Sequence, residues 1–436
     1  MRAVDLAYHV RAGELMLRSG QVLRHDTFTF TMDGQPWFNQ QWAGQVVFAG
    51  AHRVLGWTGV VIAHAAAIGG GFALLYRACR RAGTSALAAA LLTLLGFVAG
   101  SGSLAARPQA LAIPLFTGTW LLLTRRDAWT WLVPLLTVIW ANVHGSFLLA
   151  PILAAFALGD DLIARRSARR GTLILAATVL ATFVTPFGPS VWSYAVGIAG
   201  NETIRNSVAE WRPPALVSLS GAPFWMSGVA VAVAAISRRR TVRPLDVARL
   251  LLFFALGVPA LRATLWWALV APPVVARWYP AHEATHRQER RRDPLTVTTA
   301  TVIVALLPIA LFLRSGTDPV TRAPVVLARD APEILVDATR RVLPGGSRLF
   351  VFQPFASWFE YSLPEDPVMV DSRIELFSDA IWRDYKALLR AGPGWEMILD
   401  RHRIQGVILP PAEDEDLTEA LSAAPGWRVV EDGPAG

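Results

Sequence analysis

Apolar stretches of roughly 14 to 22 residues recur along the chain, separated by short polar turns, near 57–77, 84–101, 109–124, 128–141, 146–159, 171–186, 222–237, 246–261, 264–279 and 295–313. A helix crossing a bilayer takes about 20 apolar residues, so the pattern predicts ten membrane spans. The shorter ones need partner helices or snorkelling flanks. Residues 1–56 break the pattern. Their spacing predicts a helix over 5–19, a turn at Arg24 to Asp26, a Thr/Phe-rich segment over 27–31 and a turn at Asp33-Gly34. An amphipathic helix near 40–55, lying on the membrane surface, completes the segment. From 314 onward acidic residues enter. Strand-like runs at 349–352, 368–370, 407–409 and 428–430 alternate there with helical stretches at 332–343, 378–390 and 395–402, which predicts a small α/β domain. Three segments result: a first exterior loop (1–56), a polytopic transmembrane domain (57–313) and a C-terminal α/β domain (314–436).

Composition fixes the class. The chain is 53% hydrophobic and 17% charged, where a soluble domain carries about a quarter charged residues; the expected fold is therefore membrane all-α. The single Cys79 excludes a disulfide framework and a Cys-based zinc site. A net charge of +8 does not point to nucleic acid, because the arginines sit in short runs between apolar stretches. The loops after the odd-numbered spans hold eighteen, among them Arg80, Arg81, Arg125, Arg126, Arg243 and Arg277; the alternate loops hold four, Arg107, Arg205, Arg212 and Arg262. The positive-inside rule puts the first set in the cytoplasm and both termini outside. An exterior start with no preceding span predicts a further helix upstream of Met1, giving eleven spans and a cytoplasmic start.

Candidate chemistry gathers on the exterior side. Asp5 and His9 are four apart and share a helix face; with Asp26, they suit activation of an acceptor hydroxyl or a divalent metal, while the competing role for Asp5 is a helix cap. Asn142 and His144, where the fourth span ends, face a water-filled cavity or close a helix terminus. Arg107 and Arg262 stand at exterior span ends against the charge bias, where a guanidinium fits a phosphate or snorkels to the interface. Glu210 beside Trp211 suits a sugar ring or a surface ion pair. His64 and Gly69 to Gly71 read as packing positions within a span.

Four stretches carry a resemblance: Asp5-Leu-Ala-Tyr-His9 through Gly13-Glu14, His25 to Phe30, Gly34 and Trp37 to Trp42; Arg107-Pro-Gln109; Trp140 to Gly145; and Thr185-Pro-Phe-Gly188 leading to Glu210-Trp211. Together with Val370-Asp-Ser-Arg373 they resemble a family of bacterial multi-pass membrane proteins grouped with the GT-C glycosyltransferases, the superfold of protein mannosyltransferases and oligosaccharyltransferases. The resemblance implies a plasma-membrane enzyme with an extracytoplasmic C-terminal domain and an exterior active site. It also implies a polyprenyl-phosphate sugar as donor, a glycan, lipid or protein acceptor, and Asp5 as catalytic base. Arg107 or Arg262 would then bind the donor phosphate, with His9, Asp26, Asn142, His144, Glu210 and Trp211 lining the cavity. Ala3 stands where the family carries a second acid. Glycan ligases and flippases share these needs, and the alanine favours a non-catalytic envelope assembly partner.

Overall fold

The computed structural model describes residues 5–125, 127–281, 313–318, 320, 324–328, 332–410 and 415–431. They are mostly helical and divide into two compact units, one made of the helices from Val61 to Ala281, the other joining residues 5–60 to those from 313 onward.

In the helical unit, apolar runs give α2 (Trp42–Arg81, shared with the other unit), α3 (Ala86–Gly100), α4 (Gln109–Arg125), α5 (Leu132–Val143), α6 (Leu149–Ile163), α7 (Ala168–Ala181), α8 (Ser190–Gly200), α9 (Glu202–Ser207), α10 (Ala222–Ser237), α11 (Pro244–Gly257) and α12 (Thr264–Ala276). Nine of the ten expected apolar stretches fall on helices. The tenth, apart from Leu313, lies outside the described residues, and Leu313 opens a strand. Among the described residues three helices are long and apolar enough to cross a membrane: Trp42–Arg81, Ala86–Ser103 and Gly145–Ile163. Three shorter apolar helices are Ala128–Val143, Ala222–Ser237 and Leu261–Ala276.

α12 is the centre of this unit. Every residue from Thr264 to Ala276 is buried, as expected of a helix apolar on all sides. α3 approaches it through Gly96 and Gly100, where an added Cβ would press on Ala268 and Leu265; small residues four apart permit such close backbone contact. Gly71 meets Ile113 and Pro114 of α4 in the same way, the packing role expected of that glycine run, whereas a Cβ at Gly70 would meet open space.

The second unit begins with α1 (Leu6–Ser19), stopped by Gly20 in the left-handed conformation at φ +69°, whose N–H bonds the Met16 carbonyl. α1 lies against the start of α2, where Gly13 touches the Gln45 carbonyl and Ala49. We predict that Gly13→Ala lowers stability by about 1 to 3 kcal/mol, read as a fall in thermal midpoint of the full chain; an unchanged midpoint would show that the helices part at no cost. α2 contains non-helical Leu55 and Gly56, the latter at φ +59°, so the expected amphipathic helix and first span form one run broken at a glycine.

From residue 313 the elements are β1 (Leu313–Thr317) antiparallel to β2 (Pro324–Ala328), α13 (Glu333–Val342), β3 (Leu349–Val351), α14 (Ala356–Ser362), α15 (Asp379–Leu389), α16 (Trp395–His402), β4 (Gly406–Ile408) parallel to β3, and α17 (Glu415–Ala423). Val368 bridges both Leu349 and Thr29, tying the N-terminal segment to this core of Leu335, Val336, Leu349, Phe359 and Ile408. Residues 428–430 form no strand.

Candidate functional site

Two clusters gather the residues singled out in the sequence. In the second unit, Asp26 is fully buried. One of its oxygens accepts from the Phe28 N–H and from Arg373 Nη2 at 2.6 Å; the other accepts from the Thr29 N–H and hydroxyl at 3.0 and 2.6 Å. Arg373 also bonds Asp371, through Nε at 2.8 Å and through Nη2. Its guanidinium lies over Trp37, Phe28 and Tyr8, with 4.5, 5.0 and 5.8 Å to the ring centres. Burial works against this charge, yet Asp371, Asp26 and Glu360 outweigh it and hold the Arg373 pKa above its ordinary value.

Glu360 adds a further carboxyl to the same buried place. Burial, then the charge of Asp371, pushes its pKa well above the usual carboxylate range. Neither of its oxygens has a hydrogen-bond partner among the described residues. Tyr8 is likewise raised well above its ordinary value, first by burial and then by Asp5, which places Asp5 near the phenol. Asp5 stands at the N-cap of α1 without a side-chain capping bond. His9 is buried and shares a 3.2 Å bond with Gln45, which accepts from Asn39 at 2.7 Å. Both Asp26 oxygens are committed to Arg373 and the Thr29 turn. No group of three or more His, Cys, Asp or Glu side chains placed to hold a metal ion is found among the described residues.

The second cluster lies in the helical unit, at the N-terminal ends of α4 and α12. Arg107 forms an ion pair with Glu210. Arg262 lies over the Trp211 ring at 4.6 Å, bonds the Gln109 side chain at 3.4 Å, and has its carbonyl bonded by Gln109 Nε2 at 3.1 Å. His144 follows α5 and precedes α6; its Nδ1 shares a 2.8 Å bond with the Ser146 hydroxyl, which also accepts from Trp140 Nε1 at 3.0 Å. Burial, then the positive charges of Arg262 and Arg107, pushes the His144 pKa down to about 3. The imidazole is therefore neutral and the surroundings electropositive.

Arg107, Arg262, Glu210, Trp211 and His144 thus come together. Asn142 acts elsewhere, its amide donating to the carbonyls of Val138 and Val184, both at 2.8 Å, and so fastening α5 to the turn at Thr185 to Gly188. Sequence reasoning passed over Gln45 and Glu360, and named Tyr8 and Asp371 only as parts of longer motifs. The signal for Glu360 was an acid between two large aromatic neighbours, Phe359 and Tyr361, which on burial needs a partner. No known family matches the chain, and no curated protein does.

Proposed function

We propose that this chain is a multi-pass membrane glycosyltransferase of the GT-C kind, moving a sugar from a polyprenyl-phosphate donor to an extracytoplasmic acceptor. The observation that carries the reading is the grouping of Arg107, Arg262, Glu210, Trp211 and a neutral His144 at one end of the helical unit. Two guanidiniums within electrostatic reach of one buried imidazole make an anion site, and Trp211 offers a flat face for a sugar. The donor phosphate exchanges with Glu210 for Arg107. Asp5, assigned by the resemblance, is the base that deprotonates the acceptor hydroxyl. On this reading ten or eleven helices span a bacterial plasma membrane, the arginine-rich loops lie in the cytoplasm, and an α/β domain follows outside.

The test is donor binding. Arg107→Ala and Arg262→Ala in the purified full chain are each expected to weaken binding of a polyprenyl-phosphate sugar about tenfold to a hundredfold. Unchanged affinity in both would place the phosphate elsewhere. A second reading, a non-catalytic envelope assembly partner, is favoured by the Asp26–Arg373–Asp371 network, whose carboxylates are committed to structure. Sugar transfer by the purified chain would set it aside.

A further inference from the structure

The opposite ends of α4 and α12 border a second charged region. A cavity of about 500 Å³ is lined by Arg81 at the end of α2, Arg125 at the end of α4, Arg277 at the end of α12, and by Trp120, Thr124 and Asp127. A chamber of about 330 Å³ shares Trp120, Thr124 and Arg277 with it and adds Arg243, Arg249, Asp160 and Asp246. Five guanidiniums and three carboxylates line the two.

Part of this set is a rigid frame. Asp246, 1% exposed, receives Arg243, Arg249 and Arg277 at 3.0, 3.3 and 3.2 Å. Asp160 receives Arg249 at 3.0 Å and Arg243 at 3.3 Å. Arg249, 3% exposed, lies over the rings of Trp120 and Phe156, and its buried Nε has no hydrogen-bond partner among the described residues. Arg125 pairs with Asp127. Arg81 is exposed and makes no ion pair among the described residues, whereas its neighbour Arg80 turns away to bond the Thr84 carbonyl at 2.5 Å. Three carboxylates cannot neutralise five guanidiniums, and a buried N–H without an acceptor costs free energy; both call for an anion.

We propose that these adjoining chambers bind a phosphate group, presented by the headgroup of an anionic phospholipid. Guanidiniums favour phosphate oxygens through forked, charge-assisted bonds. Basic pockets between apolar helices, at the arginine-rich end of a bundle, lie at the level of lipid headgroups. The inference rests on the membrane-spanning part of the proposed function and not on sugar transfer, so its test reads binding alone.

The full chain in neutral detergent is titrated with mixed micelles containing phosphatidic acid, with micelles containing phosphatidylcholine, and with inorganic phosphate, following tryptophan fluorescence. Phosphatidic acid is expected to give a saturable change and phosphatidylcholine none. Arg81→Gln, an exposed position that should leave folding intact, is expected to weaken the affinity about tenfold or more, and Arg125→Gln to act in the same direction. Equal response to both lipids, or undiminished affinity in both variants, overturns the site. A saturable response to inorganic phosphate of equal affinity, lost in Arg81→Gln, keeps the anion site and overturns the lipid as its source. Sugar transfer by a chain that binds none of these would overturn this site and leave the glycosyltransferase reading standing.

Discussion

Arg373→Met is expected to destabilise the unit built from residues 5–60 and the C-terminal elements by about 3 to 5 kcal/mol. The side chain is 2% exposed and its partners Asp26 and Asp371 are fully buried. Removing the cation leaves two carboxylates facing each other in a place water does not reach, and that uncompensated charge costs more than the ion pair contributes. The loss also uncovers the ring faces of Trp37, Phe28 and Tyr8, so packing and charge must be separated. Arg373→Met combined with Asp26→Asn and Asp371→Asn tests this: if charge is the cause, the triple variant recovers most of the stability. Amide hydrogen exchange of the full chain at residues 28–30 and 368–373 is the readout, and a loss of the expected size lowers protection about a hundredfold or more. Full protection in Arg373→Met would show that the network contributes little.

Glu360 gives the same cluster a pH dependence. Its folded pKa is raised, so the folded chain holds a proton that the unfolded chain releases above the ordinary carboxylate range. Stability from this group is complete below that range and falls as pH rises towards the folded pKa. Glu360→Gln removes the titration, so it is expected to flatten this slope.

The helices were legible because apolar runs declare themselves locally. The boundary between the expected helix near 40–55 and the span near 57–77 falls at the break in α2, and α1 appears over nearly the span its pattern predicts. The partnerships were not legible. Asp26 and Arg373 are 347 positions apart, and a motif that names both ends says nothing of their meeting. Val368 to Val370 reads as a strand by its β-branched residues, yet only isolated bridges form at Val368; residues 428–430 read likewise and find no partner edge. Strand propensity describes fit to a neighbour, and the neighbour is supplied by the fold. At Arg107 and Arg262 the charge bias located the residues without showing that Glu210 and Trp211 would meet them. The frame around Asp246 and Asp160 stayed hidden because arginines between apolar runs read first as topology markers; acids at the ends of apolar runs, beside arginine-rich turns, were the signal.

Asp5→Asn is expected to reduce sugar transfer by about 100-fold or more while leaving donor binding and folding nearly unchanged. The asparagine keeps the size and hydrogen-bonding shape of the side chain and removes its ability to accept the acceptor's proton. A helix-capping aspartate would confuse such a test, since loss of the cap costs about 1 kcal/mol. Here Asp5 occupies the N-cap position without a side-chain capping bond, so loss of a cap does not enter the comparison, and the thermal midpoint of the variant is measured beside its turnover. Donor affinity depends on Arg107 and Arg262 in the proposed mechanism, and the pair Arg107→Ala and Asp5→Asn therefore separates the two roles: the first moves binding, the second turnover. Transfer by Asp5→Asn at the parent rate would remove Asp5 as base. If the parent chain itself transfers no sugar from any polyprenyl-phosphate donor while Arg107→Ala still alters lipid-phosphate binding, the site is a binding site and the assembly-partner reading takes precedence.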